Sequence, residues 1–320
     1  MKKTLLILAA LLLGLTACAP AAKPALQPLV MGLTYIPNIQ FAPFYVAMEK
    51  GYFAEAGIEL SLTYGNEADL MALVGANKNQ FMIASGEQVL LSRSQGLPVV
   101  SILPWYKDYP VGVAALKSAG ITTAQDLKGK QIGLPGLYGA NYIGFEALAA
   151  ANGLTDADYT LRSIGFTQVE ALVTNQVDAV VVYLANEPVQ LRAQGYEIDL
   201  LKVSDAMQLV SNSLVTNETT RENNPDLARK VALALHKGIM DTAKDPAEAY
   251  QISLKYVENL AQADAEVQKA VLAESIKLWQ TGEPTDQDPA WQTMQTLLVD
   301  LGLITNPTDT KLAWTNEFIP

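Results

Sequence analysis

The chain has 320 residues, 22 Lys+Arg against 33 Asp+Glu, a formal net charge of −11, and a hydrophobic fraction of 50%. An acidic balance without basic runs excludes nucleic acid as a partner, because neutralising a phosphate backbone takes clustered Lys and Arg. A single cysteine excludes an internal disulfide, and the length fits one large domain or two lobes of ordinary size.

Lys2 and Lys3 precede an apolar run over 5–15 and then Leu15-Thr16-Ala17-Cys18. A basic end, a short apolar core and small residues before a cut site predict a secretory signal over 1–17. The run is too short for a permanent membrane span, which takes ~20 residues. Leu-Thr-Ala-Cys resembles the bacterial lipobox, so Cys18 is expected to be the lipidated first residue of a mature, extracytoplasmic chain anchored to the cell membrane. Residues 18–28 are rich in Ala and Pro and read as a tether.

Beyond the tether the rhythm is short strand, polar or Gly-rich loop, helix. Strands are expected at 29–33, 58–64, 81–84, 99–103 and 111–116, and helices at 44–51, 67–75 and 88–95. A second set starts near Thr122. Thr123 caps a short helix through Leu127, 131–134 is a strand, and 141–151 is a helix stopped by Gly153. Strands follow at 159–164, 179–183, 200–203 and 213–216, with a helix at 167–174. From Pro225 helices dominate, at 225–242, 246–259, 264–278 and 289–301, three of them opening on a proline that needs no helical N–H partner.

This alternation predicts an α/β fold of two lobes, each a mainly parallel sheet flanked by helices, with a helical C-terminal tail. Residues 29–116 with 213–320 form the expected first lobe and 117–212 the second, with hinges near 116–119 and 210–212. Two segments echo one another. Ala84-Ser85-Gly86-Glu87 and Tyr183-Leu184-Ala185-Asn186-Glu187 both leave an apolar strand and reach a Glu at a helix start.

Ligands of open α/β sheets bind beyond the carboxyl ends of the strands. The corresponding loops span 34–43, 85–87, 104–110, 135–141 and 183–187. They carry Tyr35, Phe41, Trp105, Tyr106, Tyr109, Tyr138 and Tyr183, with Tyr142 just beyond, and Lys107 is their only basic residue. Rings with few fixed charges suit a flat, neutral, π-rich solute, although any one ring can instead be a packing anchor. The shortage of cations argues against sulfonate, nitrate or phosphate, except at a helix N-terminus. Glu87 and Glu187 are acceptors for a donor-rich ring, or first-turn residues placed by the helix dipole. There is no metal-ligand cluster, no nucleophile–base pair and no cofactor fingerprint. His236 lies within an apolar helical stretch.

At Tyr35-Ile-Pro-Asn-Ile-Gln-Phe-Ala-Pro43 and Glu49-Lys-Gly-Tyr-Phe-Ala-Glu-Ala-Gly57 the chain resembles bacterial solute-binding proteins. These are related to thiamine-pyrimidine-precursor synthases and to sulfonate binders. With Gly133-Leu-Pro-Gly-Leu-Tyr-Gly-Ala-Asn-Tyr-Ile-Gly144 it looks most like the riboflavin-binding lipoproteins of the RibXY type. That resemblance implies a type II periplasmic-binding fold, closure of two lobes on the ligand, and a permease and an ATPase of an ABC importer as partners. It also implies that Tyr183 and Glu187, one helical turn apart, hold a ring. The expected ligand is riboflavin, with a formylaminopyrimidine thiamine precursor as the alternative and a secreted heterocycle enzyme less favoured. Tyr35, Trp105, Tyr138 and Tyr142 are the candidate stacking rings. Asn38, Gln40, Glu87, Asn141 and Glu187 are the candidate polar contacts. The cysteine-rich segment of the related synthases is missing, and catalysis is not expected.

Overall fold

Among the described residues, ten strands sort into two five-stranded sheets with the same plan. The structure, a computed structural model, describes residues 25–279 and 287–319. The expected signal segment, Cys18 and the tether as far as residue 24 lie outside the described residues. The first sheet has the order β2-β1-β3-β10-β4, built from β1 (Gln27–Leu33), β2 (Ile58–Tyr64), β3 (Phe81–Ala84), β4 (Val99–Pro104) and β10 (Ser213–Asn217). The second has the order β7-β6-β8-β5-β9, from β5 (Val111–Leu116), β6 (Gln131–Leu134), β7 (Thr160–Ser163), β8 (Ala179–Tyr183) and β9 (Ile198–Lys202).

In each sheet the first three strands run parallel, and a strand arriving from the other lobe runs antiparallel beside the third. The echo between the segments after Ala84 and Tyr183 therefore falls on equivalent places, the ends of β3 and β8. Every side chain of β3, β4 and most of β5 and β8 is buried. Strands covered on both faces read as continuous apolar runs rather than alternating ones, as these sequences do.

The expected division of the chain needs one correction. β5 pairs with β8 and β9, so 111–116 belongs to the second lobe, and the first crossover is 105–110 rather than 116–119. The physical reason is that a fully apolar run suits the middle of either sheet, and its pattern does not say which. The return crossover lies between β9 and β10 and includes 210–212. The two crossovers touch, Trp105 donating its backbone N–H to the carbonyl of Asn212 at 2.8 Å.

The tail helices pack on the first lobe. Helix Pro225–Lys244 crosses helix Ala42–Glu49 so closely that a Cβ on Gly238 would meet the carbonyl oxygen of Pro43 at 2.2 Å, which leaves only glycine there. Helix Ala265–Leu278 ends against the first crossover, where the backbone N–H of Lys107 donates to the carbonyl of Leu278 at 2.9 Å and Trp279 forms an isolated backbone bridge with Tyr106. The expected helix at 246–259 ends at Ser253, with Asn259 in the left-handed region at φ 60°. His236 sits half-buried on the long tail helix Pro225–Lys244.

Candidate functional site

Between the lobes, the carboxyl ends of β1, β3, β6 and β8 face a cavity of about 400 Å³, within the size range that takes drug-sized ligands. The first lobe supplies Tyr35, Gln40, Phe41, Glu67, Trp105 and Tyr106; the second supplies Tyr138, Asn141, Phe166, Tyr183 and Glu187. Among the described lining residues there is no Lys or Arg. Lys107 faces away, into a separate small recess by the crossovers.

Each wall is held differently. Trp105 is 2% exposed, stacked on Phe44 with ring centroids 5.4 Å apart and edge-on to Trp279 at 5.7 Å. It forms the cavity's floor as a packed core residue rather than a free platform. Tyr138 and Phe166 are 61% and 59% exposed. Tyr35 meets Phe166 edge-on at 5.0 Å across the mouth, one ring from each lobe. Burial, with Glu187 nearby, pushes the Tyr35 hydroxyl up to about 12, so it is a neutral donor at physiological pH.

Glu187 is the first residue of helix Glu187–Ala193, and its carboxylate folds back over the end of β8. Oε2 accepts the backbone N–H of Tyr183 and Oε1 accepts Nδ2 of Asn186, both at 2.9 Å. Burial raises its pKa to about 6 while those donors oppose the rise. The group is both a cap on its own turn and an acceptor facing the cavity. Asn141 lines the cavity while donating Nδ2 to the carbonyl of Val181 at 3.2 Å, a bond that ties the helix start to β8.

Three expected contacts, Asn38, Tyr142 and Glu87, and one further loop ring, Tyr109, are placed elsewhere or otherwise. Asn38 caps the turn Ile39–Phe41, its Oδ1 accepting the Gln40 N–H at 3.0 Å, and does not line the cavity. Tyr142 packs half-buried on the second lobe's core. Tyr109 is buried and donates to the carbonyl of Ala140 at 2.9 Å. Glu87 is wholly buried beneath the cavity, and neither carboxyl oxygen has a hydrogen-bond partner among the described residues. Burial and the neighbouring Glu67 push its pKa up to about 8, so it is a neutral carboxyl at pH 7.

Glu67 and Phe166 are among the cavity residues that escaped the sequence reading. Glu67, at the start of helix Glu67–Gly75, accepts both the N–H of Ser85 at 2.6 Å and its hydroxyl at 2.8 Å through Oε1. Phe166 follows β7 in the Gly165-Phe166 loop. Phe166 was findable, because that loop also leaves the carboxyl end of a parallel strand. Glu67 was findable on the same ground, since it follows the carboxyl end of the parallel strand β2.

Comparison with known proteins fits this arrangement. Residues 38–249 match the family described as NMT1/THI5 like. The chain belongs to that family. The riboflavin-binding protein RibY of Chloroflexus aurantiacus is 37% identical over 311 residues, covering 94% of this chain and 89% of its own. A more distant family relative, the 4-amino-5-hydroxymethyl-2-methylpyrimidine phosphate synthase of Legionella pneumophila, is 25% identical, covering 90% and 91%. Among solved structures, the periplasmic aliphatic sulphonate binding protein SsuA of Escherichia coli superposes with a TM-score of 0.74, at 14% identity, over 92% of this chain and 99% of its own. The NMT1/THI5-like chain thus has the two-lobed periplasmic-binding fold expected from its sequence.

Proposed function

We propose that the protein captures riboflavin between its lobes and delivers it to the permease and ATPase of an ABC importer. The observation that carries the reading is a cavity walled by rings from both lobes and free of cations among its described lining residues, in a chain 37% identical to a riboflavin-binding protein. Riboflavin is neutral, flat and π-rich, with an imide N–H and a polyhydroxylated chain. Tyr138 and Phe166 are placed to cover the ring system as the lobes close, over the floor formed by Trp105 and Tyr106. Glu187 and Gln40 offer acceptors for the imide and the hydroxyls. The protein acts by binding and release, without chemical turnover. Anchoring through a lipidated Cys18 keeps it beside the permease outside the cell membrane.

The test is titration of riboflavin with purified protein. Quenching of flavin fluorescence at about micromolar concentrations supports the assignment, and an unchanged signal overturns it. The pairing of Tyr183 with Glu187 in one cavity favours a second reading, a formylaminopyrimidine donating its amino group to Glu187. Calorimetric binding of that pyrimidine without quenching of riboflavin selects it.

A further inference from the structure

A cavity without cations is not thereby closed to anions, because helix starts offer unpaired amides and the positive end of a dipole. Two helices of ordinary length begin at this one, Glu67–Gly75 and Gly139–Ala151, and a third, Gly86–Ser94, begins directly behind Glu67. Yet the amide seat at the end of β3 is already filled. Both donors of Ser85, which precedes helix Gly86–Ser94, are taken by Oε1 of Glu67 at 2.6 and 2.8 Å. Its other oxygen, Oε2, reaches the facing lobe, 3.7 Å from where a Cβ on Gly139 would stand. The equivalent turn after β8 is filled in the same way by Glu187.

We infer that Glu67 is a built-in counter-anion that occupies the anion seat of the first lobe and bars phosphorylated forms of the ligand from the cavity. The inference rests on the vitamin-binding reading and names the chemical form that is taken. Glu87 completes the arrangement. Buried beneath Glu67, it is raised by burial and by that neighbour; burial raises the Glu67 carboxyl as well, but there the two Ser85 donors oppose the rise and favour keeping the negative charge of the pair on the carboxylate they hold. A phosphate monoester entering the cavity shares the space with the carboxylates of Glu67 and Glu187 and meets no compensating cation among the described lining residues. Like charges brought together in a water-poor site reject a ligand that a neutral acceptor would tolerate. A phosphate-ester hydrolysis must therefore precede uptake whenever the solute outside is phosphorylated.

The experiment compares riboflavin with riboflavin phosphate by fluorescence titration in the full chain, in Glu67→Gln and in Glu67→Asp. The wild type is expected to prefer riboflavin by about 100-fold or more. Glu67→Gln should narrow that preference by about 10-fold, while Glu67→Asp, which keeps the charge, should retain most of it. In parallel, about 10 mM inorganic phosphate should raise the melting temperature of Glu67→Gln and leave the wild type unmoved. Equal affinity of the wild type for both flavins overturns the inference, as does an unchanged ratio in Glu67→Gln. If riboflavin itself fails to bind, the proposed function falls, and the inorganic phosphate measurement alone decides the role of Glu67.

Discussion

The two lobes share a strand order but not a manner of presenting their rings. In the first, Phe41, Trp105 and Tyr106 reach the cavity with 8% exposure or less, braced from behind by Phe44 and by Trp279 of the tail. In the second, Tyr138 and Phe166 stand more than half exposed, with no tail behind them. The same sheet plan thus yields one preformed floor and one uncovered face. The difference teaches that burial of a ring within a site separates its contribution to folding from its contribution to binding. A floor ring has been desolvated during folding and gives the ligand shape; an exposed ring still has water to lose and gives the ligand affinity.

The sharpest way to break this contrast is Trp105→Ala. Deleting a buried indole with two ring partners should cost about 3–5 kcal/mol of stability, read by urea unfolding. A variant as stable as the wild type, but unable to bind, would make Trp105 a ligand platform after all. Next comes the pH dependence of the buried acid below the floor. The folded chain holds the Glu87 proton up to about pH 8, whereas the unfolded chain releases it near the ordinary value of 4.5. The folded state binds more protons in that window, so the contribution favours folding at low pH and is lost as pH rises toward 8. Glu87→Gln should therefore gain on the wild type between pH 5 and 8, by something on the order of 2 kcal/mol, in unfolding titrations at several pH values.

On the uncovered face, Tyr138→Ala and Phe166→Ala should each weaken riboflavin binding by about 1–3 kcal/mol. Their stability should change by no more than about 0.5 kcal/mol. Equal losses of stability in these variants and in Trp105→Ala would erase the distinction between the walls. The smallest effect is expected from Asn38→Ala. Loss of its cap on the Ile39–Phe41 turn should cost about 1 kcal/mol of stability, with a smaller change in affinity than Phe166→Ala.

Much of the fold was legible because each strand and helix carries its own punctuation. Glu67–Gly75 begins after Asn66, whose side chain caps it, and Ala124–Leu127 begins at a reciprocal cap between Thr123 and Asp126. What single segments do not encode is the company they keep. The apolar run of β5 fits either sheet, and only the pairing with β8 and β9 assigns it. The site divides in the same way. That the loops beyond the strand ends are aromatic and poor in cations could be read directly, and Tyr35, Gln40, Tyr138, Asn141, Tyr183 and Glu187 do line one cavity. Whether an aromatic in such a loop faces inward is set by distant partners. Trp105 packs on Phe44 and Trp279, and Tyr109 bonds to Ala140; neither contact has a local sequence signature. Glu67 stands at the cavity where Glu87 was expected, for a comparable reason. Both are first-turn acids by sequence, and only the fold places one at the cavity and the other under it.

The exchange of strands between the sheets fixes the order in which the molecule can be completed as it is made. Every strand of the second sheet lies between residues 111 and 202, whereas β10, between β3 and β4, ends at Asn217. A growing or threading chain therefore has all the strands of its later lobe in hand while its earlier one still has a gap in the middle. For a chain that folds after crossing a membrane from its N-terminal end, the second lobe matures first, and the nascent first sheet waits with two open edges for its last strand.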